Sequence, residues 1–227
     1  MRIDILTIFP EMFDGPFKHS ILKRAQERGL VEINLINIRD YATDKHKRVD
    51  DYQYGGGSGM VMMVEPIANC IEDLKLKNTY NEIIYMSPDG ELFGQQMANR
   101  YSIFQNLMIL CGHYKGIDER IREHFITKEI SIGNYVLSGG ELGAAVFADA
   151  IVRLLPGVLN DETSALSDSF QDGLLSPPAY TRPYNFKSMK VPDILLSGND
   201  KEIEKWRMEK AIERTKVRRP EMTDDEE

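Results

Sequence analysis

Cysteine is almost missing from this chain. Cys70 and Cys111 are the only two in 227 residues, and they lie far apart in no CxxC or Cys/His spacing. That excludes a disulfide framework and a zinc knuckle and suits a reducing compartment, where both read as small buried hydrophobes. Long apolar runs are missing too. No stretch approaches the roughly 20 residues of a membrane span. The opening MRIDILTIFPEMF is broken by Arg2 and Asp4, so it reads as a first strand and not as a signal peptide. The expectation is a soluble cytoplasmic protein with no membrane partner. Three of the four histidines, His19, His113 and His124, have no ligand spacing among them, so no metal site is expected from them.

An excess of positive charge is also missing. The net charge of -8 counts against a nucleic-acid partner, because Lys and Arg make the phosphate contacts. Its distribution alters the inference: residues 178–220 hold 11 Lys and Arg against 6 Asp and Glu, while the last seven residues, EMTDDEE, are acidic. A basic segment of this kind is either a solvated helical face or a surface for a polyanion, and charge alone leaves both open.

What is present is alternation. Short β-branched runs (Ile3 to Phe9, VEINLINI, EIIYMSP, NLMILCG, KEISIGNYVLSGG) alternate with amphipathic ones (HSILKRAQERG, PIANCIEDLK, GQQMANRYSIF, IDERIREHF, ELGAAVFADAIVRLLPG). Strands separated by helices predict an α/β fold with a mostly parallel sheet and flanking helices. Near Pro156 the composition shifts to Ser, Asp and turn formers. The chain therefore divides into a domain over 1–160, a linker over 161–177 and a small helical domain over 178–227. In the last, NDKEIEKWRMEKAIERTKVRRPE reads as a helix with Ile203, Trp206, Met208 and Ile212 as its apolar residues, stopped near Pro220.

The glycines lack the two familiar phosphate patterns. After YGGGSG, Met60 and Val61 stand where a P-loop needs Lys and Ser or Thr, so a Walker site is excluded. No glycine cluster follows the first strand, so a nicotinamide cofactor in a Rossmann site is not expected. Three bare-backbone segments remain, each following or closing a strand: YMSPDG (85–90), CGHYKG (111–116) and SIGNYVLSGGE (131–141). In a parallel sheet such loops converge at one edge, where ligands bind. Any one of them alone is equally a tight turn or helix cap. Together they can enclose one small ligand, with glycines 112, 133, 139 and 140 giving close backbone approach and Ile132 and Leu137 apolar walls.

SIGNYVLSGGE, together with YGGGSGM, DSFQDGLL and YTRP, closely resembles the bacterial tRNA (guanine-N1)-methyltransferases of the TrmD type, in the SPOUT methyltransferase class. The resemblance runs from IFPEMF to RTKVRRPE, nearly the whole chain. It implies a deep trefoil knot, S-adenosyl-L-methionine as cofactor, and a homodimer with active sites at the subunit interface. It implies methylation of N1 of the guanine at position 37 of tRNA when guanine also occupies position 36. By resemblance the cofactor site comprises Tyr85, Met86, Ser87, Pro88, Gly112 and Tyr114, completed by Ile132, Gly133, Asn134, Tyr135, Val136, Leu137, Gly139 and Gly140. Asp168 matches the base that removes the N1 proton, and Arg153 matches the positive group at guanine O6. The same residues also read as an Asx turn and as a favourable charge at a helix C-terminus. His46 and Asp50, with Gly55, Gly56, Gly57, Ser58 and Gly59, are implied at the target guanine, and Arg182, Lys216, Arg218 and Arg219 are candidates for RNA phosphates.

Two positions depart from the family pattern. Lys115 stands where members carry a Glu implicated in magnesium dependence, and an ammonium there weakens cation binding, so the Mg2+ requirement is left open. LSPPAYTRP puts Ser176 and Ala179 where the family often has Asp and His. The other readings left open by the residues are a SPOUT enzyme acting on ribose 2′-OH or ribosomal RNA, and a non-catalytic RNA-binding protein.

Overall fold

A computed structural model describes residues 1–159 and 168–223. The chain divides into two compact units, Met1–Asn160 and Asp161–Glu227. In the first, the strands are β1 (Arg2–Thr7), β2 (Glu32–Asn37), β3 (Asp50–Tyr52), β4 (Met60–Met62), β5 (Glu82–Leu92), β6 (Asn106–Cys111) and β7 (Lys128–Ser131). Five of them form one sheet in the order β2-β1-β6-β5-β7, every neighbouring pair parallel. The helices are α1 (Asp14–Phe17), α2 (Ser20–Glu27), α3 (Val64–Lys77), α4 (Gln95–Ser102), α5 (Glu119–His124) and α6 (Glu141–Val152). The expected α/β architecture is present, with helices on both faces.

The side-chain alternation of the strands divides the core in two. Ile3 and Ile5, Ile84 and Met86, and Leu107, Ile109 and Cys111 pack against α2, α4 and α6. Their neighbours Leu6, Ile83, Tyr85, Met108 and Leu110 pack against α3 and α5. A strand buried on both faces has to be apolar at nearly every position, which is why these runs are continuous. The exception is Asp4, fully buried, which is satisfied by Arg2 Nε at 3.0 Å, Asn34 Nδ2 at 2.8 Å and the Tyr80 hydroxyl. In α3, Ile67, Ile71 and Leu74 lie at helical spacing on the inner face, and burial of each contributes about 2 kcal/mol.

Two elements differ from the reading of the sequence. The glycine stretch is the tip of an antiparallel hairpin, with Asp50 opposite Met62 and Tyr52 opposite Met60. Segment 85–90 does not follow a strand but lies inside β5. Its pairing with β7 jumps from Met86 to Glu91, both opposite Ile130, so residues 87–90 leave the ladder as a wide excursion.

The second unit contains a two-stranded hairpin, β8 (Asn185–Phe186) with β9 (Met189–Lys190), and one long helix, α7 (Asp200–Arg218). Ala211 and Thr215 are the buried positions of α7. Thr215 Oγ1 donates to the Ala211 carbonyl at 2.7 Å and accepts from the Leu175 N–H at 2.9 Å. The expected apolar stripe is displaced: Ile203 and Trp206 are half-buried, whereas Met208 and Ile212 face solvent.

Candidate functional site

Beside the carboxyl ends of β6 and β7 and the mid-strand excursion of β5 the first unit holds a cavity of about 390 Å³, within the range of small-ligand sites. Three chain segments wall it. From β5 come Tyr85, Met86 and Ser87 and then, in the excursion, Pro88 and Asp89. Burial pushes the Tyr85 phenol up to about 12, so it stays neutral near pH 7 and offers a flat ring. That ring rests on Gly112, where a Cβ would come within 2.8 Å of it. From the segment after β6 come Gly112 to Ile117, with Tyr114 in the left-handed region at φ 59°. From the segment after β7 come Ile132, Gly133, Tyr135 to Leu137, Gly139 and Gly140.

Close main-chain approach explains the glycines. A Cβ on Gly140 would stand 2.9 Å from Cys111 Cα and 3.1 Å from Gly112 N, and the Gly140 N–H donates to the Gly112 carbonyl at 2.8 Å. This bond closes the third segment against the second. Every residue expected at the cofactor lines the cavity except Asn134, which is exposed and outside the lining.

The sequence reading missed an ionic wall. Arg122 lines the cavity and donates to Glu129 at 2.9 and 2.7 Å and to Asp89 at 2.9 Å, with Glu119 at 3.6 Å. These carboxylates, Glu129 foremost, hold its guanidinium charge even more firmly than usual. Its plane also lies 5.7 Å from the Tyr85 ring. Only the local Glu119–Arg122 spacing signals this in the sequence; Asp89 and Glu129 are brought by the fold. Glu141 was missed as well. It opens α6, is 1% exposed, and accepts from Thr7 Oγ1 at 2.8 Å through Oε1, while Oε2 has no hydrogen-bond partner among the described residues.

The hairpin is joined to the cavity. Lys115 N–H donates to Met60 O, Met62 N–H to Gly116 O and Asp118 N–H to Met62 O, each at 3.0 Å. Gln53 and Val61 reach the cavity wall, whereas Gly55, Gly56, Gly57, Ser58 and Gly59 form the exposed tip outside it. Gly57 takes φ +117°, a backbone conformation that L side chains rarely adopt, and a Cβ there would also displace the exposed Gln53 amide, 2.1 Å away. Asp50 is half-buried in β3, and His46 is exposed in the preceding turn, its N–H donating to Asp44 at 3.0 Å.

Arg153 belongs to the first unit, as the C-cap of α6. Asp168 belongs to the second, where its carbonyl accepts from Gln171 N–H at 3.4 Å. The expected linker over 161–177 is described only from Asp168 on; there Ser169 and Ser176 hydroxyls lie 3.0 Å apart. Lys216 and Arg218 are exposed on the last turn of α7, Arg182 is exposed, and Arg219 pairs with Glu221 beside the Phe170 ring. Among the described residues no group of three His, Cys, Asp or Glu is placed to hold a metal, and no helix is long and apolar enough to cross a membrane.

Fold and cavity together define a parallel α/β protein with a cavity of small-ligand size against bare main chain, beside the ends of β6 and β7 and the excursion in β5. Comparison with known proteins makes this more particular. The family model described as tRNA (Guanine-1)-methyltransferase TrmD matches residues 1–225. Curated proteins named tRNA (guanine-N(1)-)-methyltransferase are similar along the full length. The protein from Flavobacterium johnsoniae is 62% identical over 225 residues, covering 99% of this chain and 100% of its own. The one from Cytophaga hutchinsonii is 64% identical over 222 residues, covering 98% and 94%. The chain belongs to the TrmD family of tRNA (guanine-1)-methyltransferases.

Proposed function

We propose that this protein is an S-adenosyl-L-methionine-dependent methyltransferase that acts on N1 of the guanine at position 37 of tRNA, next to the anticodon, where guanine also occupies position 36. The observation that carries the reading is the glycine-walled cavity beside β5, β6 and β7 in a chain of this family. The residues fit the cofactor. Bare main chain at Gly112, Gly139 and Gly140 lines the cavity, and Ile132 and Leu137 offer apolar surface. When bound, adenosylmethionine supplies a methyl group on a sulfonium.

The protein's own part is alignment and proton removal. Methyl transfer to a ring nitrogen is an in-line displacement, so donor and acceptor have to be held in register. In this reading the hairpin tip around Gly55 to Gly59, with His46 and Asp50, admits the guanine, whose edge is read by hydrogen bonds. Asp168 accepts the N1 proton. A carboxylate is a weak base for a guanine ring proton, so Arg153 stabilises the negative charge that develops on guanine O6. Arg182, Lys216 and Arg218 meet RNA phosphates.

The assembly is a homodimer with active sites at the subunit interface, and the chain path through the cavity segments is the family's trefoil knot. The half-exposed Leu142 and Val146, four residues apart on α6, support the first. The closed contact of Gly140 on Gly112 suits the second. A protein that modifies tRNA works in the cytoplasm. The test incubates the protein with methyl-labelled adenosylmethionine and two tRNA transcripts carrying guanine or adenine at position 37. Label is expected on the guanine transcript alone, as 1-methylguanine. Equal labelling of both, or label on ribose, overturns the reading.

A further inference from the structure

The charges around the cavity are unevenly shared. Four charged side chains line it, and three of them are gathered together: Arg122 pairs with Asp89 at 2.9 Å and Glu119 at 3.6 Å. The fourth, Lys115, makes no ion pair among the described residues, although Glu119 is only four positions on. Its side chain turns the other way. Lys115 Cγ and Cε lie 2.8 and 3.1 Å from the place a Cβ of Gly59 would take, so its methylenes rest on the bare backbone of the hairpin tip. The Lys115 N–H fixes the stem of this contact on the Met60 carbonyl at 3.0 Å. Any side chain at 59, where φ is +93°, would displace it.

Lys115 is exposed, so its ammonium is hydrated and free to reach outward from the cavity rim. A sulfonium bound in the same cavity repels it, and nothing on the hairpin tip from Gly55 to Gly59 carries negative charge. The arrangement makes sense if the missing anion arrives with the second substrate. We propose that Lys115 is an RNA-backbone contact: its ammonium binds a phosphate of the strand whose base enters over the glycine hairpin. This rests on the tRNA methyltransferase reading above. An anionic oxygen could also be supplied by the carboxylate of adenosylmethionine, and the experiment separates the two sources.

Lys115→Gln and Lys115→Arg are compared with the parent in full-length protein, after thermal melting shows that both fold. Dissociation constants for a guanine-37 tRNA transcript are measured across a potassium chloride series, and adenosylmethionine affinity by calorimetry. With Lys115→Gln, tRNA binding is expected to weaken about fivefold at low salt, and the log–log salt slope to fall by about 0.7–0.9, the release expected for one phosphate. Lys115→Arg is expected to keep the slope, and adenosylmethionine affinity to stay within twofold for both. An unchanged slope overturns the proposal, as does a tenfold loss of adenosylmethionine affinity with tRNA binding intact, which assigns the ammonium to the cofactor. A parent that methylates tRNA alongside an unchanged slope leaves the enzyme reading standing and sinks Lys115 alone; a parent that neither binds nor methylates tRNA overturns both.

Discussion

Single side chains decide whether the cavity wall holds together, and Glu141 is the sharpest case. A carboxylate that is 1% exposed is costly to bury, and among the described residues only one of its oxygens has a partner, the Thr7 hydroxyl at 2.8 Å. The same hydroxyl accepts from the Phe9 N–H at 2.9 Å, so Thr7 joins the end of β1 to the start of α6. Thr7→Val keeps the shape but leaves both carboxylate oxygens and the Phe9 N–H without this partner, and is expected to destabilise the protein by about 2 kcal/mol in urea unfolding. Thr7→Ser, which keeps the hydroxyl and loses one methyl, is expected to cost clearly less. Equal losses for the two would show that packing, not the hydrogen bond, carries the contribution of this residue.

Among the elements, the excursion in β5 makes the same point about backbone. Gly90 brings the chain back to β7 so closely that a Cβ would stand 2.4 Å from Ile130 N and 2.5 Å from the Glu129 carbonyl carbon. Neither atom can yield without shifting β7, so Gly90→Ala is expected to cost about 2 kcal/mol and to weaken adenosylmethionine binding about tenfold, by moving Ser87 to Asp89. Gly15→Ala, with nothing within 4 Å of its Cβ, is the control expected to show no loss by melting or calorimetry. Much at this scale was legible in the sequence. The five sheet strands and their helices follow from apolar runs alternating with amphipathic ones, and the three segments around Gly112, Gly133 and Met86 do meet at one cavity. The hairpin was not legible, because Asp50 to Tyr52 is three residues long and polar, without the apolar alternation that marks a half-buried strand. SPDG reads as a turn because its residues favour turns locally. Only the pairing of β7 with both ends of β5 makes it part of a strand. Asn134 sits in the right segment but is exposed and outside the cavity lining, and the carboxylates on Arg122 come from Asp89 and Glu129, distances that periodicity does not encode.

For the whole molecule the question is what covers the outer face of α6. A helix on a protein surface ordinarily turns charged or polar residues outward. The exposed positions here are Leu142, Val146 and Asp149, and the segment just before the helix adds Val136, 84% exposed. Exposed apolar residues one turn apart on a helix, Leu142 and Val146, suit an interface, and a second copy of the chain is the occupant the proposed homodimer supplies. Sedimentation equilibrium is therefore expected to give twice the 26.0 kDa chain mass. Val146→Glu puts a carboxylate on that face while leaving the buried Ala145 and Phe147 beside it untouched, so it is expected to shift the mass toward 26.0 kDa without lowering helix content by circular dichroism. If the active sites are shared across the interface, tRNA methylation falls with the dimer and returns as protein concentration rises. A parent chain that sediments at 26.0 kDa, or a variant that stays dimeric, would assign this face to something other than a second copy.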